Sequence, residues 1–344
     1  MRAMLLRAHG PIERRPLELV EIPAPEPSAG EILVRISVCA ACRTDLHVIQ
    51  EEIPSRRLPL VPGHQAVGRV EKLGPGCARF RIGDRVGIAW LRETCGACEF
   101  CRAGAENLCP DSRYTGYHAD GGYAEKALVR EDFTYAIPEE FDDLHAAPLL
   151  CAGIVGYRAL RRSALPEGGK LGLYGFGSSA HVVLQVARAR GCAVYVATRG
   201  ESHRDLARSL GARWVGGALD APPDPLDSAI VFAPVGDLVP AALRAVRKGG
   251  TVALAGIHMT SLPAMSYEEH VFHEKTLTSV EANTRRDGED LLREAARIPL
   301  RPRINAFPLE QANEALAAIA ADRVDGTAVL VVDGRGAERL ERGP

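Results

Sequence analysis

Hydrophobic positions along the chain follow two rhythms. Over residues 1 to about 135, short apolar runs such as EILVRISV, AVGRVEKL and DRVGIAW alternate with Pro and Gly punctuation, and helical periods are few. Short apolar runs bounded by turn residues mark strands, so a strand-rich, loop-rich domain is expected there. From Leu171 the texture changes. The apolar strand LGLYG leads through a glycine turn into the helical AHVVLQVARARG, followed by the strand AVYVAT, a helical RDLARSLGA, the strand SAIVFA, a helical DLVPAALRAVRKGG and the strand TVALAG. Such alternation predicts βαβ units and a parallel, doubly wound sheet, because parallel neighbours must be joined by a crossover. The tail mixes a helical EQANEALAAIAADR with a last strand GTAVLVV, PPDP at 222–225 reads as a surface loop, and no internal repeat is visible. The fold class expected is therefore α/β, a strand-rich domain beside a doubly wound one.

At 344 residues, 46% hydrophobic and 25% charged, the chain has the length and apolar content for two ordinary domains. Its 42 basic and 44 acidic side chains nearly cancel without a long run of one sign. That argues against nucleic acid or a membrane surface as partner and leaves small molecules. The opening MRAMLLRAHGPIERRP has one short apolar step before charges and prolines. It fits neither a secretory leader nor a spanning helix, so a cytoplasmic protein is expected. In a reducing compartment nine cysteines, an odd number, read as thiols or metal ligands rather than bridges.

Four of those cysteines crowd into one stretch: Cys95, Cys98, Cys101 and Cys109 give C-x2-C-x2-C-x7-C. Thiolates so spaced can close a tetrahedron around zinc, with an iron-sulfur cluster or a redox set of thiols as competing readings. Zinc is preferred. Four protein thiolates leave no open position for a substrate, so such a site would fold a lobe with little core of its own. A second set, Cys42, His64 and Cys151, comes from three distant segments (CRTDLH, GHQ and LLCAG) and could supply three ligands with a fourth position open. Taken singly, each of these residues is as well explained by packing. A third feature is Gly175-Phe-Gly177-Ser178-Ser179-Ala180, lying between the strand LGLYG and a helix. That is the context a G-x-G-x-x-A turn needs to rest a pyrophosphate on a helix N-terminus.

The order of CRTDLH, GHQ, the four-cysteine lobe, LLCAG and the glycine turn resembles the zinc-dependent alcohol dehydrogenases of the medium-chain dehydrogenase/reductase family over essentially the whole chain. The resemblance implies a GroES-like catalytic domain over residues 1–153, with a structural zinc lobe at about 92–112. A Rossmann domain over 154–285 and a return to the catalytic domain over 286–344 follow from it. It implies two zinc ions per subunit, a catalytic one on Cys42, His64 and Cys151 and a structural one on Cys95, Cys98, Cys101 and Cys109. It also implies a hydride exchanged between a nicotinamide cofactor and an alcohol or aldehyde, and a homodimer or homotetramer in which the strand near 271–280 pairs across a two-fold axis. By the same match, Thr44 takes the alcohol proton and His47 passes it on, Arg43 contacts the pyrophosphate and Asp45 orients the ligand histidine. Trp90 lines the substrate pocket or packs in the core, and the segments Phe232–Val235 and Gly256–His258 fall near the nicotinamide.

Two departures from the family pattern matter. Members that prefer NAD present an acidic residue to the ribose at the end of the second Rossmann strand. Here that strand ends Val196-Ala-Thr198-Arg199-Gly200, with Ala197 or Thr198 where the acid would stand and a cation beside it. The missing repulsion and the added base both favour NADP(H), with NAD(H) as the alternative. The other departure is Gln65, where the family reads Glu after the histidine; a neutral amide lends no negative charge to the metal and would leave it more electrophilic. Alternatives to an NADPH-dependent enzyme are an NAD-dependent one acting on polyols or cinnamyl-type aldehydes, and a non-catalytic zinc and dinucleotide-binding protein. Cys39, Cys77 and Cys192 are expected to be packing residues, and His181, His270 and His273 structural or exposed.

Overall fold

In the computed structural model, which describes residues 1–54 and 57–333, the first part of the chain forms strands β1 (Arg2–Leu6), β2 (Leu17–Glu21), β3 (Glu31–Ala41), β4 (Gln65–Leu73), β5 (Arg85–Ile88), β6 (Leu91–Glu93), β7 (Arg113–Tyr114), β8 (Lys126–Arg130) and β9 (Thr134–Ala136). Short helices α1 (Arg43–Ile49), α2 (Glu99–Arg102) and α3 (Asp143–Ala146) interrupt them. There follow α4 (Ala152–Arg162), β10 (Lys170–Tyr174), α5 (Ser178–Ala189), β11 (Ala193–Ala197), α6 (Glu201–Ser209), β12 (Trp214–Gly216), β13 (Leu226–Val231), α7 (Leu238–Ala245), β14 (Val246–Leu254), α8 (Tyr267–His270) and β15 (Thr276–Ser279). The chain closes with α9 (Arg285–Ala295), β16 (Ile304–Pro308), α10 (Ala312–Ala320) and β17 (Thr327–Val331).

Two units result. The first comprises Met1–Cys151, Thr284–Ala296 and the described residues from Arg303; the second comprises Ala152–Asn283 and Arg297–Pro302. In the first, a seven-stranded sheet runs in the order β16-β17-β3-β4-β5-β9, with β8 also on β3. The eleven-residue β3 is its spine, pairing β8 through Glu31–Arg35 and β17 through Val38–Ala41 on one edge, and β4 on the other. Ile32, Val34, Ile36, Val70, Val86, Ile88, Leu316 and Leu330 are all buried in the cluster it carries. At roughly 25 cal/mol per Å2 of apolar surface, burial of this kind is the main term favouring the fold. The register Ala40 opposite Gln65 has a functional consequence: Cys42, just past the end of β3, and His64, just before β4, leave adjacent strands at the same end of the sheet.

The second unit holds a six-stranded sheet in the order β12-β11-β10-β13-β14-β15, parallel throughout. Counted along the chain this is 3-2-1-4-5-6, the Rossmann order, whose topological switch lies between β10 and β13. The expected elements are found, with one correction. The helix read through DLVPAALRAVRKGG ends at Ala245, and Val246–Gly250 open β14 instead. Val246 is buried against Leu226, and the glycines at 249 and 250, the first at φ +73°, suit a strand entry with shifted register better than a helix interior. The three-residue β12 was too short to leave a pattern in the sequence.

Candidate functional site

Cys42 stands as the N-cap of α1, and Asp45 one turn on completes a capping box by accepting the Cys42 amide at 2.9 Å. That carboxylate, 1% exposed, also takes the His64 Nδ1 proton at 3.0 Å and the Tyr123 hydroxyl at 3.1 Å. Because a carboxylate only accepts, the imidazole must carry its proton on Nδ1, which turns the Nε2 lone pair toward Cys42 Sγ, 3.6 Å away. Cys151, at the end of a turn with φ −137° and ψ −68°, brings the third ligand atom, and all three lie within 4.8 Å of one another. A sulfur at about 2.3 Å and a nitrogen at about 2.0 Å from one tetrahedral centre stand about 3.5 Å apart, close to the spacing seen here, so the set fits a zinc-sized cation.

The electrostatics of the cluster agree. A hydrogen bond with Cys151 and the charge of His64 hold the Cys42 thiol well below its ordinary range against the opposing effect of burial. For His64, burial alone would lower the pKa, but the charges of Asp45 and Cys42 outweigh it and raise it to about 10. A cluster that favours positive charge in this way could hold a cation. Gln65 is wholly buried, and neither its amide nitrogen nor its oxygen has a protein partner.

The second thiol set sits in the loop between β6 and β7. Cys95 Sγ lies 3.5 Å from Cys109 Sγ and 4.0 Å from Cys101 Sγ, and the four sulfurs lie within 4.8 Å of one another. A tetrahedron of sulfurs about 2.3 Å from zinc has edges of about 3.8 Å, whereas a disulfide needs about 2.05 Å. All nine cysteines are free. Backbone N–H groups of Ala97 and Cys98 point at Cys95 Sγ and lower its pKa to about 7, which favours the ligating thiolate. The helix at 99–102 buries none of its residues, so the lobe has almost no core of its own.

In the second unit the glycine turn joins β10 to the twelve-residue α5. Gly175 has φ +88°, and a Cβ there would fall 2.8 Å from the Ala233 backbone nitrogen, so the fold itself demands glycine. Gly177 differs. Its φ is −104°, it is exposed, and a Cβ would meet nothing within 4 Å; the space in front of it suits a group that approaches the backbone closely, as a pyrophosphate does at a helix N-terminus. The Phe232 and Ala233 amides both donate to Tyr174 O, at 2.8 and 3.1 Å, which places the start of the Phe232–Val235 segment beside this turn at the sheet's switch point. Gly256–His258 follow the end of β14.

Known proteins resemble this chain over most of its length. Residues 28–139 match the model of the alcohol dehydrogenase GroES-like domain, and residues 180–297 that of the zinc-binding dehydrogenases. A Mycobacterium tuberculosis protein named as a probable alcohol dehydrogenase is 50% identical over 337 residues, 96% of this chain and 97% of its own. The chain belongs to the alcohol dehydrogenases of the medium-chain dehydrogenase/reductase family. An alcohol dehydrogenase of Geobacillus stearothermophilus is 33% identical, with 93% of this chain and 97% of that one covered. Among solved structures, a cinnamyl alcohol dehydrogenase of Sorghum bicolor superposes with a TM-score of 0.89 at 27% identity, over 97% of this chain and 98% of that one.

In this alcohol dehydrogenase the remaining singled-out residues lie as follows. Thr44 is half-buried in the first turn of α1, and His47, on the same helix, hydrogen-bonds through Nδ1 to Glu52. Arg43 is exposed and faces Asp322 at 3.7 Å. Thr198 is 3% exposed, with its amide donating to Gly216 O; Arg199 beside it is exposed. Trp90 is 6% exposed, its ring edge-on to His64 at 4.8 Å and stacked on Tyr114 at 4.9 Å. The ring is thus packed in the core and touches His64.

The sequence reading missed Tyr123, which holds Asp45 from 78 positions away, and Arg204, whose guanidinium donates to the carbonyls of Thr198 and Arg199 at 3.2 and 2.8 Å. A tyrosine after two glycines carries no such signal. Arg204 could have been suspected as the next cation after Arg199.

Proposed function

We propose that this enzyme is a zinc-dependent, NADP(H)-preferring alcohol dehydrogenase or aldehyde reductase acting on small alcohols and aldehydes. The observation that carries the zinc chemistry is the Cys42–His64–Cys151 set, its histidine buried and its cysteines half-buried, with Asp45 fixing the histidine tautomer and the cysteine backbone together. When bound, zinc supplies Lewis acidity that makes an alcohol a better acid, and the dinucleotide accepts or returns the hydride. Cys42 serves as thiolate, His64 as neutral donor through Nε2, and Cys151 as third ligand, leaving a fourth position to substrate. The Thr44 hydroxyl takes the substrate proton, and His47, held by Glu52, exchanges it with solvent. Trp90 narrows the space beside His64 and favours primary alcohols. Cys95, Cys98, Cys101 and Cys109 hold a structural zinc.

For the cofactor, Gly175, Gly177, Ser178, Ser179 and Ala180 cradle the pyrophosphate, and Arg43 adds charge to it. Preference for the 2′-phosphate rests on Thr198, Arg199 and Arg204. The acids of α6 are engaged, Glu201 by Arg204 at 2.9 Å and Arg208 at 3.0 Å and Asp205 by Arg208 at 2.7 Å, so with Arg199 the turn after β11 keeps a positive balance. We assign residues 1–153 and 286–344 to the catalytic domain and 154–285 to the dinucleotide domain, in a cytoplasmic homodimer or homotetramer. Among the described residues no helix is long and apolar enough to cross a membrane.

Two measurements test the proposal. Initial velocities with a panel of aliphatic and aromatic aldehydes should favour NADPH over NADH; the reverse preference overturns the cofactor assignment and leaves the enzyme class. Cys42→Ser should lose one of two zinc equivalents together with turnover, and unchanged metal content would instead favour a non-catalytic binding protein.

A further inference from the structure

One short segment, residues 114–123, reaches His64 by three routes. The first is aromatic. Trp90 stacks on Tyr114 (4.9 Å, 14° between planes) and Tyr117 (5.9 Å, 20°) and stands edge-on to the His64 ring (4.8 Å, 69°). The second is backbone contact. Gly121 and Gly122 amides donate to Val61 and Gly63 carbonyls at 2.7 and 2.9 Å, and a Cβ at Gly121 would lie 1.9 Å from Gly63 O, so nothing but backbone separates this segment from the residue before His64. The third is the Tyr123 hydroxyl on Asp45 Oδ2, whose other oxygen holds His64.

The same segment grows directly out of the four-cysteine lobe. β6 and β7 pair antiparallel, Leu91 opposite Tyr114 and Glu93 opposite Arg113, and Thr115 N donates to Trp90 O at 2.9 Å. Residues 95–109 are therefore the loop that closes this hairpin. Strands of three and two residues are too short to hold a register alone, and the lobe has almost no apolar core. What closes the loop fixes Tyr114 beneath Trp90.

We propose that residues 114–123 position His64, and that metal bound in the four-cysteine lobe, by setting the register of this hairpin, raises the affinity of the Cys42–His64–Cys151 set for its own metal. The inference rests on the reading that both sets hold zinc. Coupling between two sites is reciprocal, and a partner orienting a metal-bound histidine typically changes affinity tenfold or more.

Full-length protein loaded with zinc is titrated with a chromogenic chelator while retained metal is counted by elemental analysis. Cobalt loading identifies which site empties, because four thiolates and two thiolates with one imidazole give different ligand-field bands. Wild type should hold two equivalents; if it holds only the lobe's, the reading of the three-ligand set falls and the coupling with it. Tyr114→Leu should keep the lobe's metal and release the other at about tenfold lower chelator concentration, while Tyr114→Phe, which keeps the stacked ring, should match wild type. Wild-type release from both sites of Tyr114→Leu overturns the proposal. Should that variant not fold, Cys98→Ser, which weakens the lobe's own metal, should release the three-ligand set's metal at about tenfold lower chelator concentration, and wild-type release from that set overturns the proposal.

Discussion

Replacing Asp45 by Asn tests how the first metal set is organised. The substitution keeps shape and removes one charge from a carboxylate that accepts three hydrogen bonds, from the Cys42 amide, His64 Nδ1 and the Tyr123 hydroxyl. An asparagine has one accepting oxygen and one donating nitrogen. If its oxygen keeps the Cys42 amide and the tyrosine, its NH2 faces His64, and the ring must then carry its proton on Nε2, the nitrogen meant for the metal. If instead the oxygen faces His64, the buried Cys42 amide loses its acceptor, at about 1–3 kcal/mol. Either way zinc affinity should fall about ten- to hundredfold, about 1.4–2.7 kcal/mol. Competition with a chelator of known zinc affinity measures the first quantity, and thermal unfolding of the zinc-stripped protein separates the second. Wild-type affinity together with a wild-type melting temperature would refute the tautomer reasoning.

Other predictions rest on separate features. Gly175→Ala forces a side chain into φ +88° against the Ala233 backbone, so it should destabilise the fold by at least about 2 kcal/mol, read as a lower Tm. Gly177→Ala should leave Tm unchanged and weaken dinucleotide binding by calorimetry; a change in Tm without loss of binding would reverse that assignment. Arg199→Ala should reduce the NADPH to NADH ratio of kcat/KM by roughly tenfold or more, since a charge-assisted contact is worth about 1.5–3 kcal/mol. Gln65→Glu adds negative charge beside the metal ligands, favours their protonated surroundings and should move the pH–rate profile to higher pH; an unmoved profile would count against a more electrophilic metal. Glu106, bound to the Arg285 amide and guanidinium, has its pKa lowered by those bonds against burial. Its stabilisation should be complete above the ordinary carboxylate range and disappear as pH falls through the depressed value, and Glu106→Gln should flatten that acid limb of the stability curve.

The parts legible in the sequence are those encoded locally. The spacing of Cys95 to Cys109 crowds its thiols within one loop, and the strand, glycine turn and helix at 170–189 declare themselves by period. What a sequence does not carry is which distant segments share a strand end. Cys42 and His64 meet because Ala40 pairs with Gln65 across two strands, a register no local pattern states. Asp45 illustrates the other difficulty: as a helix cap it satisfies a local rule, its link to His64 came only through the family resemblance, and only the fold brings Tyr123 to it. At Val246 local propensity misleads, since an apolar residue in helical phase is claimed by a strand partner at Leu226.

The strand order of the first unit also bears on how the chain is made. β17, whose five residues are all buried, pairs β3 beside the end from which Cys42 emerges, and it is synthesised some 290 residues after β3. At ribosomal rates of about 5–20 residues per second, the sheet stays open along part of one edge for about 15–60 seconds. The second unit, nearly continuous in sequence, meets no such delay and can fold during that interval. The end of β3 that leads into Cys42 therefore gains its β17 neighbour only after every residue of the two cysteine-bearing sets has been made.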